Sequence, residues 1–249
     1  MNRVLASLTF RQLLGQRRNF LLLLVAVLPI GLALIYRFTE ETELSRETGE
    51  FAVGMADAMT LTILLPLAAL ILGSAALGSE IEDGTAVFLL TKPISRWRII
   101  AVKIAVSSVV ATLVVVPATM VATWIIHHSP TADGLMFGLG LSTLVAAVLY
   151  CAVFVALSAF TNRAIIVGLL YVFIWEAFAT RFFSALRWLS IREYATGWGE
   201  VFISSDESAI YFDPYLSSSA SLVGACVAFV AANIFGARCL NRFEIGERS

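Results

Sequence analysis

Charge is scarce in this sequence. Only 14% of its 249 residues are Asp, Glu, Lys or Arg, whereas 59% are hydrophobic and the mean hydropathy is +0.87. Soluble domains contain about 25% charged and roughly 45–50% apolar residues, and one water-soluble core of this size cannot bury the excess. The apolar residues lie in long uninterrupted blocks, which is typical of membrane-spanning helices. The composition therefore argues against a soluble enzyme, a disordered chain and a disulfide scaffold.

Cysteine is also rare in this sequence. The three cysteines, Cys151, Cys226 and Cys239, lie in or beside apolar blocks without paired spacing, so neither a disulfide framework nor a metal cluster is predicted. Internal repeats and low-complexity linkers are also missing, and an inverted-repeat transporter is therefore not supported. The chain is interpreted as a single transmembrane domain over residues 1–249.

Lysine occurs only twice, as Lys92, which Pro93 follows, and as Lys103, which Ile104 follows. A phosphate-binding P-loop needs Gly-x-x-x-x-Gly-Lys-Ser/Thr, because backbone amides and a lysine must meet the phosphates. Neither lysine fits that pattern. Any ATP that this protein uses must therefore be bound by another polypeptide.

Six apolar blocks are long enough to cross roughly 30 Å of hydrocarbon, which takes about 20 residues. They cover residues 20–38, 58–77, 99–126, 135–160, 164–183 and 220–240. The predicted fold is an all-α polytopic membrane protein with six transmembrane helices. The first block is longer than the apolar part of a signal peptide and no small-x-small cleavage site follows it, so we interpret it as a retained anchor.

Basic residues predict the orientation, because they concentrate in cytoplasmic loops. Twelve of the 17 basic residues fall on one side of the predicted topology. They are Arg3, Arg11, Arg17, Arg18, Lys92, Arg96, Arg98, Lys103, Arg163, Arg238, Arg242 and Arg248. Both termini are therefore predicted to be cytoplasmic. Residues 2–18 place apolar side chains among arginines at helical spacing, which favours an interfacial helix on the cytoplasmic leaflet, with a frayed basic N terminus as the alternative.

The loop after the second span is the most informative stretch. Ser79 and Glu82 have capping-box spacing, which predicts a short helix, and Pro93 would end it. The Phe-Leu-Leu run at 88–90 is an apolar group flanked by charges on the cytoplasmic side. Such a group is typical of a surface that docks a protein partner. The alternative is a solvated loop whose apolar residues turn back toward the membrane.

The same loop carries a longer motif. Residues 82–85 are Glu-Asp-Gly-Thr, and residues 88–96 are Phe-Leu-Leu-Thr-Lys-Pro-Ile-Ser-Arg. This run after the second of six spans resembles the signature of the ABC type-2 permease family, the membrane subunits of bacterial ABC transporters. The resemblance covers the whole chain in topology, and its specific motif covers about residues 79–98. In that family the loop is a coupling helix that seats in a groove of the ATP-hydrolysing subunit.

The resemblance implies a contact surface and a set of partners. The residues implied to contact the ATPase subunit are Glu80, Glu82, Gly84, Thr85, Leu89, Leu90, Pro93 and Arg96. The N-terminal interfacial helix would be the family's elbow helix. The chain itself would be a non-catalytic permease without a cofactor, while ATP and Mg would be bound by the partner ATPase. The implied assembly is an exporter in the cell inner (cytoplasmic) membrane, with a second copy of the permease or a homologous permease and no nucleic acid.

Two residues inside the predicted spans are candidates for a substrate path. Glu176 is the only acid well inside a span, and intramembrane carboxylates are costly enough to indicate function. Pro66 removes a helical hydrogen bond and can create a hinge. The resemblance implies that spans two and five flank the central path, and these residues lie on those two spans. Structural hydrogen bonding of Glu176 is the open alternative.

Residues 181–219 form the largest segment on the predicted exterior side, and they mix aromatic with acidic residues. This composition favours a short interfacial helix or an exterior lid. The segment could also dock an extracytoplasmic protein, and ATP hydrolysis would then move that partner without transport, as in some relatives. An intramembrane protease is discounted, because Glu40, Glu41 and Arg46 miss the Glu-Glu-x-x-x-Arg spacing by one residue.

Overall fold

The computed structural model describes residues 19–39, 46–78, 95–127, 134–161, 163–203 and 214–241, and every element in these ranges is helical. Four helices are regular: α1 (Asn19–Thr39), α3 (Arg96–His127), α4 (Leu135–Phe160) and α7 (Ser218–Asn241). Helix α2 comprises Arg46–Met55, π-helical Ala56–Leu64, Leu65–Gly73 and π-helical Ser74–Gly78. Helix α5 comprises Ala164–Leu170, π-helical Tyr171–Ala179 and Thr180–Phe182. A 3₁₀ turn, Ser184–Leu189, leads into the short helix α6, Ile191–Gly199.

Four helices in this part of the chain are long and apolar enough to cross a membrane: Glu47–Gly78, Arg96–His127, Leu135–Phe160 and Ser218–Leu240. Two shorter apolar helices, Leu24–Thr39 and Ala164–Ala179, fall where the first and fifth spans are predicted. The all-helical fold is thus confirmed for the described residues, with four candidate spans, and six complete spans stay a prediction. The predicted elbow helix (2–18) and the coupling loop (79–94) lie outside the described residues.

The second helix begins well before residue 58, the boundary that hydropathy predicts. Arg46–Met55 is too polar to extend an apolar block, but one of its faces is apolar and packs inward. Ala52 and Met55 are buried, and the Phe51 ring stacks on Tyr36 of α1 with ring centroids 3.9 Å apart. Packing against α1 and α3 therefore stabilises these first turns, and packing of this kind leaves no signal in a hydropathy average.

Helix α4 lies at the centre of the bundle, where it contacts α2, α3, α6 and α7. Its Tyr150 and Phe154 side chains are fully buried. Gly73 of α2 lies directly against Phe154, since a Cβ atom at Gly73 would come within 2.9 Å of the Phe154 Cβ. Small residues allow membrane helices to approach closely, and this glycine holds α2 against the centre of the bundle.

The π-helical stretches of α2 and α5 alter the direction of the side chains that follow them. Thr62 Oγ1 donates a 2.7 Å hydrogen bond to the carbonyl of Asp57, five residues earlier. Pro66 comes just after this stretch, inside the continuous helix α2, where it cannot donate a backbone hydrogen bond to the preceding turn. π-Helical turns inside α-helices are frequent at functional sites. Asp57 and Glu176 both lie in such stretches.

Candidate functional site

The predicted ATPase contact is described at one residue only. Glu80, Glu82, Gly84, Thr85, Leu89, Leu90 and Pro93 lie outside the described part of the chain. Arg96 opens α3, and its Nη1 donates a 2.8 Å hydrogen bond to the carbonyl of Leu240 near the end of α7. The last carbonyls of a helix lack partners within the helix, and basic side chains satisfy them. Arg96 therefore fastens the start of α3 to the end of α7.

Lys103 lies about two turns further along α3 and is fully buried. The sequence predicts only that Lys103 lies on the cytoplasmic side, and it gives no sign that the side chain is buried inside the bundle. Lys103 Nζ donates a hydrogen bond to the carbonyl of Ala76, in the π-helical end of α2. Residues 79–94 follow α2 and precede α3. The helix ends on both sides of this segment are thus held by basic side chains of α3.

Glu176 is completely buried and its carboxylate accepts three hydrogen bonds. Tyr171 Oη donates to Oε1 at 2.9 Å, Ser190 Oγ donates to Oε2 at 2.6 Å, and the Ile191 backbone N–H donates to Oε1 at 3.1 Å. Ser190 is the N-cap of α6, and Ile191 is its first residue. Glu176 therefore anchors the start of α6 to α5, which is the structural alternative that the sequence leaves open. Its role in a substrate path, like that of the buried Pro66, stays a prediction.

A second carboxylate holds the same end of α6. Arg192 Nη1 donates to Asp57 Oδ2 of α2 at 3.0 Å, and Nη2 donates to Glu193 Oε1 at 2.8 Å. The side chain of Arg192 is 8% exposed, whereas that of Asp57 is 38% exposed. Burial alone would lower the pKa of Arg192, but the carboxylates of Asp57 and Glu193 outweigh it and raise that pKa above its ordinary value. Arg192 is therefore a permanent cation that joins α2 to α6.

Arg187 extends this charged cluster toward the surface. Its Nε donates to Glu193 Oε1 at 3.0 Å, and its guanidinium carbon lies 4.3 Å from the centre of the Tyr215 ring. A cavity of about 200 Å³ lies beside the cluster. It is lined by Val53, Gly54, Asp57, Leu61, Leu139, Arg187, Arg192, Glu193, Thr196 and Pro214. The cavity thus separates the first half of α2 from α6.

Helix α6 is packed tightly into the bundle on its other side. A Cβ atom at Gly197 would come within 1.9 Å of Ser221 Oγ, and one at Gly224 would come within 2.3 Å of the Tyr194 ring. Glycine at these two positions lets α6 and α7 approach closely. The predicted exterior segment therefore contains a short helix that is inserted between other helices, with Ile191 and Ala195 buried.

The sequence does not reveal that Asp57, Arg192 and Glu193 belong together. Asp57 and Arg192 are 135 residues apart in the sequence, where each is only one of several charged residues on the predicted exterior side. The one available signal is the adjacent Arg-Glu pair in a segment that is otherwise amphipathic. Among the described residues, no group of three or more His, Cys, Asp or Glu is arranged to hold a metal ion.

Comparison with known proteins identifies the chain at the level of a family. A family model described as an ABC-2 family transporter protein matches residues 4–242, which is nearly the whole length. No curated protein matches the chain.

Proposed function

Because this chain belongs to the ABC-2 transporter family, we propose that it is the permease subunit of an exporter that a separate ATPase subunit drives through residues 79–98. Family membership makes the protein an ABC transporter permease embedded in a membrane. Our proposal adds three points to family membership: the outward direction of transport, the contact surface for the ATPase and the location in the inner membrane. Export is the direction that the resemblance of its cytoplasmic loop implies.

One observation carries the proposed contact: the helix ends on both sides of segment 79–94 are fastened to other helices. Lys103 holds the end of α2, and Arg96 joins the start of α3 to the end of α7. A force applied to the segment would therefore reach three helices together. A coupling loop needs such attachment, since packed helices that are joined to one another shift together between discrete arrangements.

The chemistry of the segment supports the same partner. Residues 79–98 carry the apolar run at 88–90 between acidic residues on one side and Lys92 and Arg96 on the other. An apolar centre with a charged rim is the usual anatomy of a protein interface. Since neither lysine belongs to a P-loop, the nucleotide must be bound by the partner.

Photo-cross-linking tests the contact directly. A photoreactive amino acid at Leu89 in the native complex is expected to form an adduct with the ATPase subunit. The same amino acid at Phe160, an exposed apolar residue at the end of α4, serves as the control. An adduct from Leu89 but not from Phe160 supports the proposed surface. If neither position reacts in a complex that hydrolyses ATP, the ATPase binds elsewhere.

The direction of transport needs a separate measurement. ATP hydrolysis by the reconstituted complex should be stimulated by one member of a panel of lipids, hydrophobic drugs and peptides, and inside-out vesicles should accumulate that compound when ATP is added. Stimulation only by an exterior protein, without accumulation, would favour a mechanical subunit that moves a partner.

A further inference from the structure

Helix α6 closes one end of the bundle. It packs on α4 and α7, its Ile191 and Ala195 are buried, and Gly197 leaves no room for a side chain against Ser221. The elements that meet at this end include the last turn of α3 and the first turns of α2, where Thr48 Oγ1 lies 3.3 Å from His127 Nδ1. The basic-residue distribution predicts that this end faces the exterior.

Two carboxylates from different spans hold the first turn of α6 in this position. Glu176 of α5 accepts from Ser190 Oγ and the Ile191 N–H, and Asp57 of α2 accepts from Arg192. A π-helical turn contains one residue more than an α-helical turn, and one residue corresponds to about 100° of rotation. The π-helical stretches that contain Asp57 and Glu176 thus determine where both carboxylates point.

We propose that α6 is the exterior gate of the permease, that Glu176 is its hinge, and that the ion pair between Asp57 and Arg192 is the latch that keeps it closed. This proposal rests on the permease function but not on the direction of transport or on the ATPase contact. Asp57 and Glu176 are positioning residues, because each acts through α6.

The two contacts differ in the way that a hinge and a latch should. Glu176 is fully buried with its hydrogen bonds satisfied, so separating it from α6 is expensive. Asp57 is 38% exposed, and water can replace its partner when the pair opens. Arg192 keeps its 2.8 Å hydrogen bond to Glu193 when Asp57 is withdrawn, so its buried charge is not left unpaired. The latch is therefore the contact that opens at the lower cost.

The cavity lies where the gate would swing. It is bounded by Val53, Gly54, Asp57 and Leu61 of α2 on one side and by Arg192, Glu193 and Thr196 of α6 on the other. Movement of α6 away from α2 enlarges this space and exposes Thr196, which is half-buried in the closed form. Thr196 is thus a reporter position that the latch controls.

Thiol labelling of the intact chain in its native membrane tests the proposal without any need for ATP. Cys151, Cys226 and Cys239 are replaced by serine or alanine, Thr196→Cys is introduced, and a membrane-impermeant maleimide is added from outside the cell. The labelling rate is expected to rise about fivefold to tenfold in Asp57→Asn. The rate in Asp57→Glu should stay close to that of the parent, because the conservative variant restores the ion pair.

The matched control is Glu200→Gln at the other end of α6. Glu200 is an exposed carboxylate that accepts a 2.6 Å hydrogen bond from Ser218 Oγ and makes no contact with Arg192 in the described residues. Its loss should leave the labelling rate unchanged. Equal rates in the parent and in Asp57→Asn, or equal increases in Asp57→Asn and Glu200→Gln, would overturn the latch. Labelling that occurs only in inverted vesicles would overturn the exterior placement.

Salt provides a second measurement that carries no folding risk. High ionic strength screens a partly exposed ion pair, so the labelling rate of Thr196→Cys should increase between low salt and 1 M salt when Asp57 is present. The increase should vanish in Asp57→Asn. A rate that is independent of salt in the parent contradicts the latch even if Asp57→Asn cannot be purified.

Discussion

The guanidinium of Arg96 donates a 2.8 Å hydrogen bond to the carbonyl of Leu240, 144 residues further along the chain. This contact joins the start of the third helix to the end of the last one, and Arg96 itself lies within residues 79–98, the stretch proposed to receive the ATPase. A loop that transmits force must be attached rigidly to the elements that it moves.

Replacing Arg96 by alanine should destabilise the protein. The variant leaves the Leu240 carbonyl without its charged donor, and hydrogen bonds to charged groups contribute roughly 1.5–3 kcal/mol. Thermal unfolding in detergent measures the effect. Arg98→Ala is the matched control, because Arg98 is exposed and no side-chain hydrogen bond joins it to a described residue. Equal losses in the two variants would contradict the role of Arg96.

Replacing Lys103 by methionine should loosen the end of α2. The variant keeps the length of the side chain but removes the donor to the Ala76 carbonyl. Local opening of Ser74–Gly78 should become about tenfold more frequent, which corresponds to about 1.4 kcal/mol. Hydrogen exchange of the amides in this stretch measures the change. Unchanged exchange there would show that Lys103 does not hold the end of α2.

Glu176 should tolerate glutamine better than leucine. Glutamine retains one oxygen that can accept from Tyr171 and the Ile191 N–H, whereas leucine leaves the buried donors of Tyr171, Ser190 and Ile191 unpaired. Each unpaired buried group costs about 1–3 kcal/mol. Glu176→Leu should therefore unfold at a clearly lower temperature than Glu176→Gln. A substrate-path role without structural hydrogen bonding would predict similar stability for both variants.

Gly197 should not accept alanine. The added methyl group would lie 1.9 Å from Ser221 Oγ, and overpacking of this kind costs about 1–3 kcal/mol. Gly54→Ala is the control, because nothing lies within 4 Å of a Cβ atom at that position. It should stabilise the helix by roughly 0.5–1 kcal/mol. Thermal unfolding of the two variants should therefore shift in opposite directions, and a shared direction would contradict the close packing of α6 on α7.

Hydropathy predicts most of the helix positions, and it fails where a helix is stabilised by contacts with other helices. The predicted span 135–160 coincides with Leu135–Phe160, because apolar residues fill all of α4. The start of α2 is missed, because Arg46–Met55 is stabilised by contacts with α1 and α3 and not by an apolar composition.

The candidate site is less accessible to sequence reasoning than the helices are. The buried carboxylate of Glu176 is singled out by its isolation in an apolar span, and its partners Ser190 and Ile191 are not, since they depend on how α6 folds back. The pairing of Asp57 with Arg192 likewise depends on the tertiary fold. The π-helical stretches that direct Asp57 and Glu176 have no recognisable hydrophobic period of their own.

In our proposal, this permease couples ATP hydrolysis by a partner to its own movement through residues 79–98. The most direct measurement is the ATP turnover of the reconstituted complex after charge reversal at both Glu82 and Arg96. We expect that the ATPase subunit hydrolyses ATP no faster in the complex with this variant than it does alone, and that transport is lost. Full ATPase binding, turnover and function in the double variant would contradict it.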